Sequence, residues 1–242
     1  MLEARPGKAT LKMAYFFSGV KRKASIAEQL KRRCAKQGLG LIIFEIDVLV
    51  GGYEHDLLNK ESQEAWLARV EDGEFDIVVL PPPCGSGSKA NWANDDGPKP
   101  CRDRAQPWGC PSQKAHQQRR ADAGNEFIHF SIGAIRRAQL ARSKGFVVRA
   151  VLEDPEDLGR MDKGELASIW QLPEVRTAFG DTPFASVAGH QCQFPRVDRK
   201  KPTRLLTDIL TFKDFGHVGL PKFDARGYYL GPLPRVCGHN HR

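Results

Sequence analysis

The chain has 242 residues, 40% of them hydrophobic, and its 37 Lys and Arg outnumber 29 Asp and Glu to give a formal net charge of +8. That size fits one large domain, or one domain with a tail, and a pI near 9.3 suits a polyanionic partner, nucleic acid first. No run approaches the ~20 apolar residues of a membrane span and no apolar leader marks a signal peptide, so an intracellular location is expected, with six cysteines that are thiols or ligands rather than a disulfide framework.

Residues 1–10 are polar, with Pro6 and Gly7, and read as a loose leader. Leu11–Phe17 reads as a first strand ending at Ser18-Gly19. Ser25–Gln37 reads as a helix capped by Ser25 and stopped by Gly38 and Gly40. Leu41–Asp47 is expected as a second strand, Ser62–Val70 as a helix and Asp76–Leu80 as a third strand. A long loop from Gly85 to about Ser112 carries Trp92, Trp108 and several basic residues; loops of that length are usually functional. Arg119–Ser143 reads as a long helix with Phe127, Ile128, Ile132, Ile135 and Ala138 on its apolar face. A strand to Leu152 and a polar turn follow, then a short helix over Glu165–Gln171 and a late strand over Leu205–Phe212. The tail, 213–242, is rich in Gly, Pro and aromatics.

Strands alternating with helices predict an α/β fold, a mostly parallel sheet with helices on both faces. Ligands of such sheets bind beyond the carboxyl ends of the strands. Chemistry-bearing residues gather at those ends: Ser18-Gly19, Glu45 and Asp47, Cys84 and Glu153. The apolar run of Phe75–Leu80 leads into Pro81-Pro82-Pro83-Cys84, which sets a thiol on a stiffened turn. The run Gly145–Leu152 leads into Glu153-Asp154-Pro155, which sets a carboxylate on another strand end. A thiol and an acid on neighbouring ends suit covalent catalysis on a substrate that also needs protonation.

At these residues the chain resembles the cytosine-5 DNA methyltransferases, in particular their compact, divergent members. Phe17-Ser18-Gly19 is similar to the family's cofactor loop, Pro82-Pro83-Cys84 to its Pro-Cys nucleophile motif, and Glu153-Asp154-Pro155 stands where the family has Glu-Asn-Val. The order agrees, over roughly residues 13–210. The chain departs from the family in lacking a Gly-x-Gly-Gly continuation after Gly19, in Asp154 replacing the amide, and in having no long target-recognition segment.

The resemblance implies a Rossmann-like methyltransferase domain over 11–212 that uses S-adenosylmethionine to methylate C5 of a flipped-out cytosine. Cys84 is then the nucleophile and Glu153 the acid at cytosine N3, with Asp154 expected to raise the Glu153 carboxyl. Phe17, Ser18, Gly19 and Pro82 are implied at the cofactor, with Glu45 or Asp47 on its ribose and Asp56 on its adenine. DNA is the implied partner, RNA the alternative polyanion, and the chain is expected to be a monomer. For the nucleic acid, Lys89, Arg102 and Arg104 in the long loop combine with Trp92 and Trp108 in the phosphate-and-stacking pattern of single-strand and flipped-base sites. Gln193, Arg196 and Arg199 stand near the family's Gln-x-Arg-x-Arg. His190-x-Cys192 and Cys237-x-His239-x-His241 fit no strong zinc template, and no metal is assigned to them. The competing expectation is a catalytically silent, methyltransferase-like nucleic-acid-binding module.

Overall fold

The computed structural model describes residues 10–20, 25–87, 89–93, 99–193, 200–234 and 236–238. The chain gathers into two compact units, one of residues up to Pro82 with His129–Leu152, the other of Pro83–Ile128 with Glu153–Arg242. Seven main strands of mixed direction divide between them.

The first unit contains β1 (Thr10–Phe16), α1 (Ile26–Lys36), β2 (Gly40–Ile46), α2 (Lys60–Glu71), β3 (Ile77–Leu80), the later part of α3 (Ala115–Ser143) and most of β4 (Arg149–Pro155). Its strands run parallel in the order β2-β1-β3-β4. The chain leaves β1 towards β2 and later returns to β1's other side, so the carboxyl end of β1 is a topological switch point.

Local chemistry sets these elements. Ser25 accepts the Glu28 N–H at 3.2 Å to start α1, and Asn59 accepts the Ser62 N–H at 3.0 Å to start α2. Trp66, Leu67 and Val70 recur at helical spacing and bury one face of α2. Phe16 meets Phe130 edge-on at 5.0 Å and Trp66 at 6.0 Å. Arg69 covers the Trp66 ring at 4.2 Å while pairing with Glu74 at 2.7 Å. The buried Asp76 carboxylate accepts the Lys12 N–H at 2.8 Å, and its carbonyl accepts the Arg149 N–H at 2.9 Å. Asp76 thus joins strand ends instead of lengthening β3, which starts one residue later than expected.

In the second unit β5 (Ala185–His190), β6 (Pro202–Thr207) and β7 (His217–Val218) form an antiparallel set in the order β6-β5-β7. The sheet is therefore mixed, with a parallel part, and the expectation of a mostly parallel one is corrected. In the final set the register is antiparallel throughout, with Ala185 opposite Thr207 and His190 opposite Pro202. β4 runs on through Pro155, so Glu153 and Asp154 belong to a strand and not to a turn. The helix expected over 165–171 is a two-residue strand, Gly164–Glu165, followed by a 3-10 turn, Ile169–Gln171, with Ser168 as its cap. The late strand ends at Thr207, and a 3-10 segment, Leu210–Phe215, follows it.

This unit is organised around a buried ion pair. Arg204 and Glu156 side chains are both fully buried and meet in two bonds of 2.7 Å. Arg204 also donates to Ser186 Oγ and to the Gly219 carbonyl, and Tyr229 Oη donates to Glu156 Oε1 at 2.7 Å. Every polar end thus has a partner, which a charge pair needs to survive burial.

Candidate functional site

Cys84 opens a 3-10 turn, Cys84–Ser86, directly after three prolines whose fixed backbones direct the chain out of β3. The Gly87 N–H donates to the Cys84 carbonyl at 3.1 Å, leaving the thiol half-buried. Ser86 is buried beneath it, and its carbonyl accepts the Cys101 thiol at 3.5 Å. Gly124, on the early part of α3, makes this seat possible: a Cβ there would collide with Ser86 Oγ and with Arg102 Nη2.

Glu153 and Asp154 follow one another on β4 and so point to opposite faces. Glu153 is partly exposed and lies 3.4 Å from Lys201 Nζ, while Asp154 is buried. Cys84 lies within the electrostatic field of all three. Burial pushes its thiol up, the Asp154 and Glu153 charges add to that, and Lys201 opposes them. Burial also drives the Asp154 carboxyl well above its usual range, with Glu153 adding and Lys201 and Arg102 opposing. Asp154 is the member of the pair that faces the interior.

In the sequence Lys201 only continues the basic character of Lys200-Lys201-Pro202-Thr203, with no catalytic role assigned to it. It stood in a basic run, Lys200-Lys201, which resembles any solvated charged face; only the start of β6 brings it to Glu153.

The candidate cofactor residues belong to the first unit. Phe17 and Gly19 both have positive φ, 52° and 68°, so the chain turns sharply off β1. Nothing lies within 4 Å of where a Gly19 Cβ would be, so this backbone is open to close approach. Gly19 N–H donates to Asp47 Oδ2 at 2.9 Å, and Asp47 Oδ1 accepts the Leu49 N–H at 2.9 Å. Asp47 is therefore a structural clamp, while Glu45 is half-buried beside Tyr15 in register. Asp56 accepts the Leu58 N–H at 2.9 Å, Ser18 stays local and Pro82 is buried. Val48, Leu49 and Tyr53 expose apolar surface just beyond β2.

Protein-family models, curated proteins and solved structures yield no match to this chain.

The nucleic-acid candidates divide. Lys89 is exposed. Arg102 is buried and donates to the carbonyls of Pro107 at 3.0 Å and Ala121 at 2.7 Å, so it braces the loop. Arg104 also has internal partners. It holds both Asp157 oxygens at 3.1 Å and lies 4.3 Å from the centre of the Phe223 ring. Arg196 and Arg199 lie outside the described residues. Trp92 packs where a side chain on Gly164 would stand, which anchors the loop within its own unit. No described helix is long and apolar enough to cross a membrane.

Chemically, the second unit offers a thiol nucleophile, an accessible carboxylate paired with an ammonium, and a buried carboxyl that burial favours in its neutral form. That set can add sulfur to an electron-poor ring and supply a hydrogen-bonding acid to the same ring.

Proposed function

We propose that the chain is a Rossmann-like, S-adenosylmethionine-dependent DNA methyltransferase acting on cytosine C5, and that RNA is the alternative substrate. The observation carrying this reading is the coupling of the Cys84 thiol to Glu153, Asp154 and Lys201 within one compact unit. Cytosine C5 is a weak nucleophile. Addition of the Cys84 sulfur to C6 forms a C–S bond and moves the ring's electron pair towards N3, where Glu153 supplies a hydrogen bond or proton. C5 is then enamine-like and nucleophilic. The turn of Phe17, Ser18 and Gly19, with Glu45, would hold S-adenosylmethionine, whose chemistry would be to supply an electrophilic methyl group. Loss of the C5 proton to solvent restores the double bond and expels Cys84. The base must leave its stack for the sulfur to reach it.

The raised thiol demands an activating partner. Lys201 is suited to that role, since its charge favours the thiolate. A neutral Asp154 removes one of the two charges that oppose it. Asp154 also stands where the resembled family carries an amide, so a protonated carboxyl there keeps the site's neutrality.

The test is trapping with an oligonucleotide containing 5-fluorocytosine in the presence of S-adenosylmethionine. A covalent adduct mapped to Cys84 by mass spectrometry is expected, and Cys84→Ala should lose both the adduct and methyl transfer while still binding the cofactor. An active Cys84→Ala protein would end the proposal.

The second reading, a silent nucleic-acid-binding module, draws on Asp47 being engaged by the backbone and on the thiol being pushed up. Calorimetry separates the two. Heat of binding from S-adenosylmethionine supports the enzyme; none at millimolar cofactor supports the module.

A further inference from the structure

The turn that carries Cys84 is held carbonyl by carbonyl. Cys84–Ser86 is a single 3-10 turn, and its own backbone supplies the bond from the Gly87 N–H to the Cys84 carbonyl at 3.1 Å. The next two carbonyls are served by side chains from further along the chain. Asn91 Nδ2 donates to the Gly85 carbonyl at 2.9 Å, and the Cys101 thiol donates to the Ser86 carbonyl at 3.5 Å. Carbonyls at the end of a helical turn lack backbone donors, and an outside donor then fixes the peptide plane.

The middle peptide has the least else to hold it. Prolines stiffen the chain before Cys84, and Ser86 is buried against Gly124. Gly85 is exposed, and nothing lies within 4 Å of where its Cβ would be. A glycine in open space has wide backbone freedom. Among the described residues, the hydrogen bond that reaches Gly85 comes from Asn91. Asn91 lies in the short helix Ala90–Ala93 and is only 7% exposed. Asparagine is a poor helix former, and its amide is costly to bury without a partner. The helix has a fixed base: the Trp92 N–H donates to the Lys89 carbonyl at 3.0 Å, and the Trp92 ring fills the space over Gly164.

We propose that Asn91 is a positioning residue for Cys84, its amide fixing the Gly85 peptide so that the sulfur meets the substrate in one orientation. The proposal rests on Cys84 being the nucleophile of the reaction proposed above. Asn91 acts through the backbone, and no bond to its side chain forms or breaks as the C–S bond is made. When the peptide after Cys84 rotates, the sulfur spends part of its time facing away from the ring, and the rate of attack falls with the fraction correctly placed. Loosening also admits solvent to the sulfur. Burial is the first cause holding that thiol up, ahead of the charges of Asp154, Lys201 and Glu153. A freed sulfur therefore ionises more readily and yet attacks the substrate more slowly.

Asn91→Ala keeps a helix-favouring residue and removes the donor. Its adduct formation with a 5-fluorocytosine oligonucleotide and S-adenosylmethionine should slow about fivefold, the effect of one ordinary hydrogen bond. Calorimetric affinity for S-adenosylmethionine should stay that of the unaltered chain. The pH midpoint of Cys84 alkylation by iodoacetamide, followed by peptide mass spectrometry, should fall, while that of Cys34, in the other compact unit, holds. Gly85→Ala has room for its methyl group and narrows the same peptide's freedom, so adding it to Asn91→Ala should recover much of the rate and the midpoint. A residue needed only for folding would shift both cysteines together, and Gly85→Ala would not restore Cys84. Asn91→Ser, whose hydroxyl is too short for the same reach, serves if the alanine variant does not fold. An unchanged midpoint and adduct rate in these variants would overturn the proposal, as would equal shifts at Cys84 and Cys34. If the unaltered chain forms no adduct, the proposed function falls, and the alkylation midpoint alone still decides the role of Asn91.

Discussion

Three charges act on the sulfur of Cys84, and they pull in different directions. The Lys201 ammonium favours the thiolate; the Asp154 and Glu153 carboxylates oppose it. Lys201→Met should therefore raise the pH at which Cys84 reacts, and Asp154→Asn should lower it. The rate of alkylation by iodoacetamide as a function of pH reads both shifts, and shifts of the same sign in the two variants would contradict the assignment. The positions of Cys84 after β3 and of Glu153 late on β4 were legible in the sequence because each stands in a short motif at the end of an apolar run. Asp154's burial was not, since it depends on β4 continuing past Leu152 so that the pleat turns Asp154 inward. The internal partners of Arg102 and Arg104 were hidden for a related reason. A basic residue in a polar loop looks solvated, and only the fold reveals the carbonyls and carboxylate that hold it.

Between elements, the seat of the Cys84 turn depends on the gap in α3 at Gly124. Gly124→Ala should favour the helix intrinsically by about 1 kcal/mol yet displace Ser86 and the turn above it. Its expected signature is a stable protein with slowed adduct formation at Cys84, measured by trapping kinetics beside a thermal melt. The Arg204–Glu156 pair joins β6 to the segment after β4. Arg204→Met alone leaves a buried carboxylate and should cost about 3–5 kcal/mol in urea unfolding. Adding Glu156→Leu should recover much of that loss. β5 escaped sequence reading because Ala185-Ser-Val-Ala-Gly-His190 is built of small residues, nearly all buried, and so lacks the alternation that marks a half-exposed strand. The parallel strands were legible because short apolar runs ended at Gly or Pro.

For the molecule as a whole, charge governs two measurable responses. The first is to salt. With Arg102 and Arg104 engaged internally, the proposed nucleic-acid binding would draw on exposed lysines such as Lys89. Lys89→Ala should weaken duplex binding across sequences and reduce the slope of log K against log salt by about 1, whereas Arg102→Ala should act through stability. The second response is to pH. Burial is the first cause holding the Asp154, Glu156 and Asp157 carboxyls above their ordinary values of 3.8, 4.5 and 3.8. The folded chain then retains protons that the unfolded chain has already lost, so stability falls as pH climbs from those ordinary values through the raised ones. Asp154→Asn should be the more stable protein at neutral pH, with its advantage vanishing below about pH 3.8 in urea titrations. A constant difference at every pH would show that Asp154 does not titrate late.

The buried acid acting on Cys84 has one more effect. Alkaline surroundings help strip the hydrogen from sulfur, yet they also awaken a second anion acting on it, which pulls that hydrogen back and loosens the scaffold. Whatever reaction Cys84 performs is thus bounded on both flanks: too acidic and the sulfur stays dormant, too basic and its own support begins to give way.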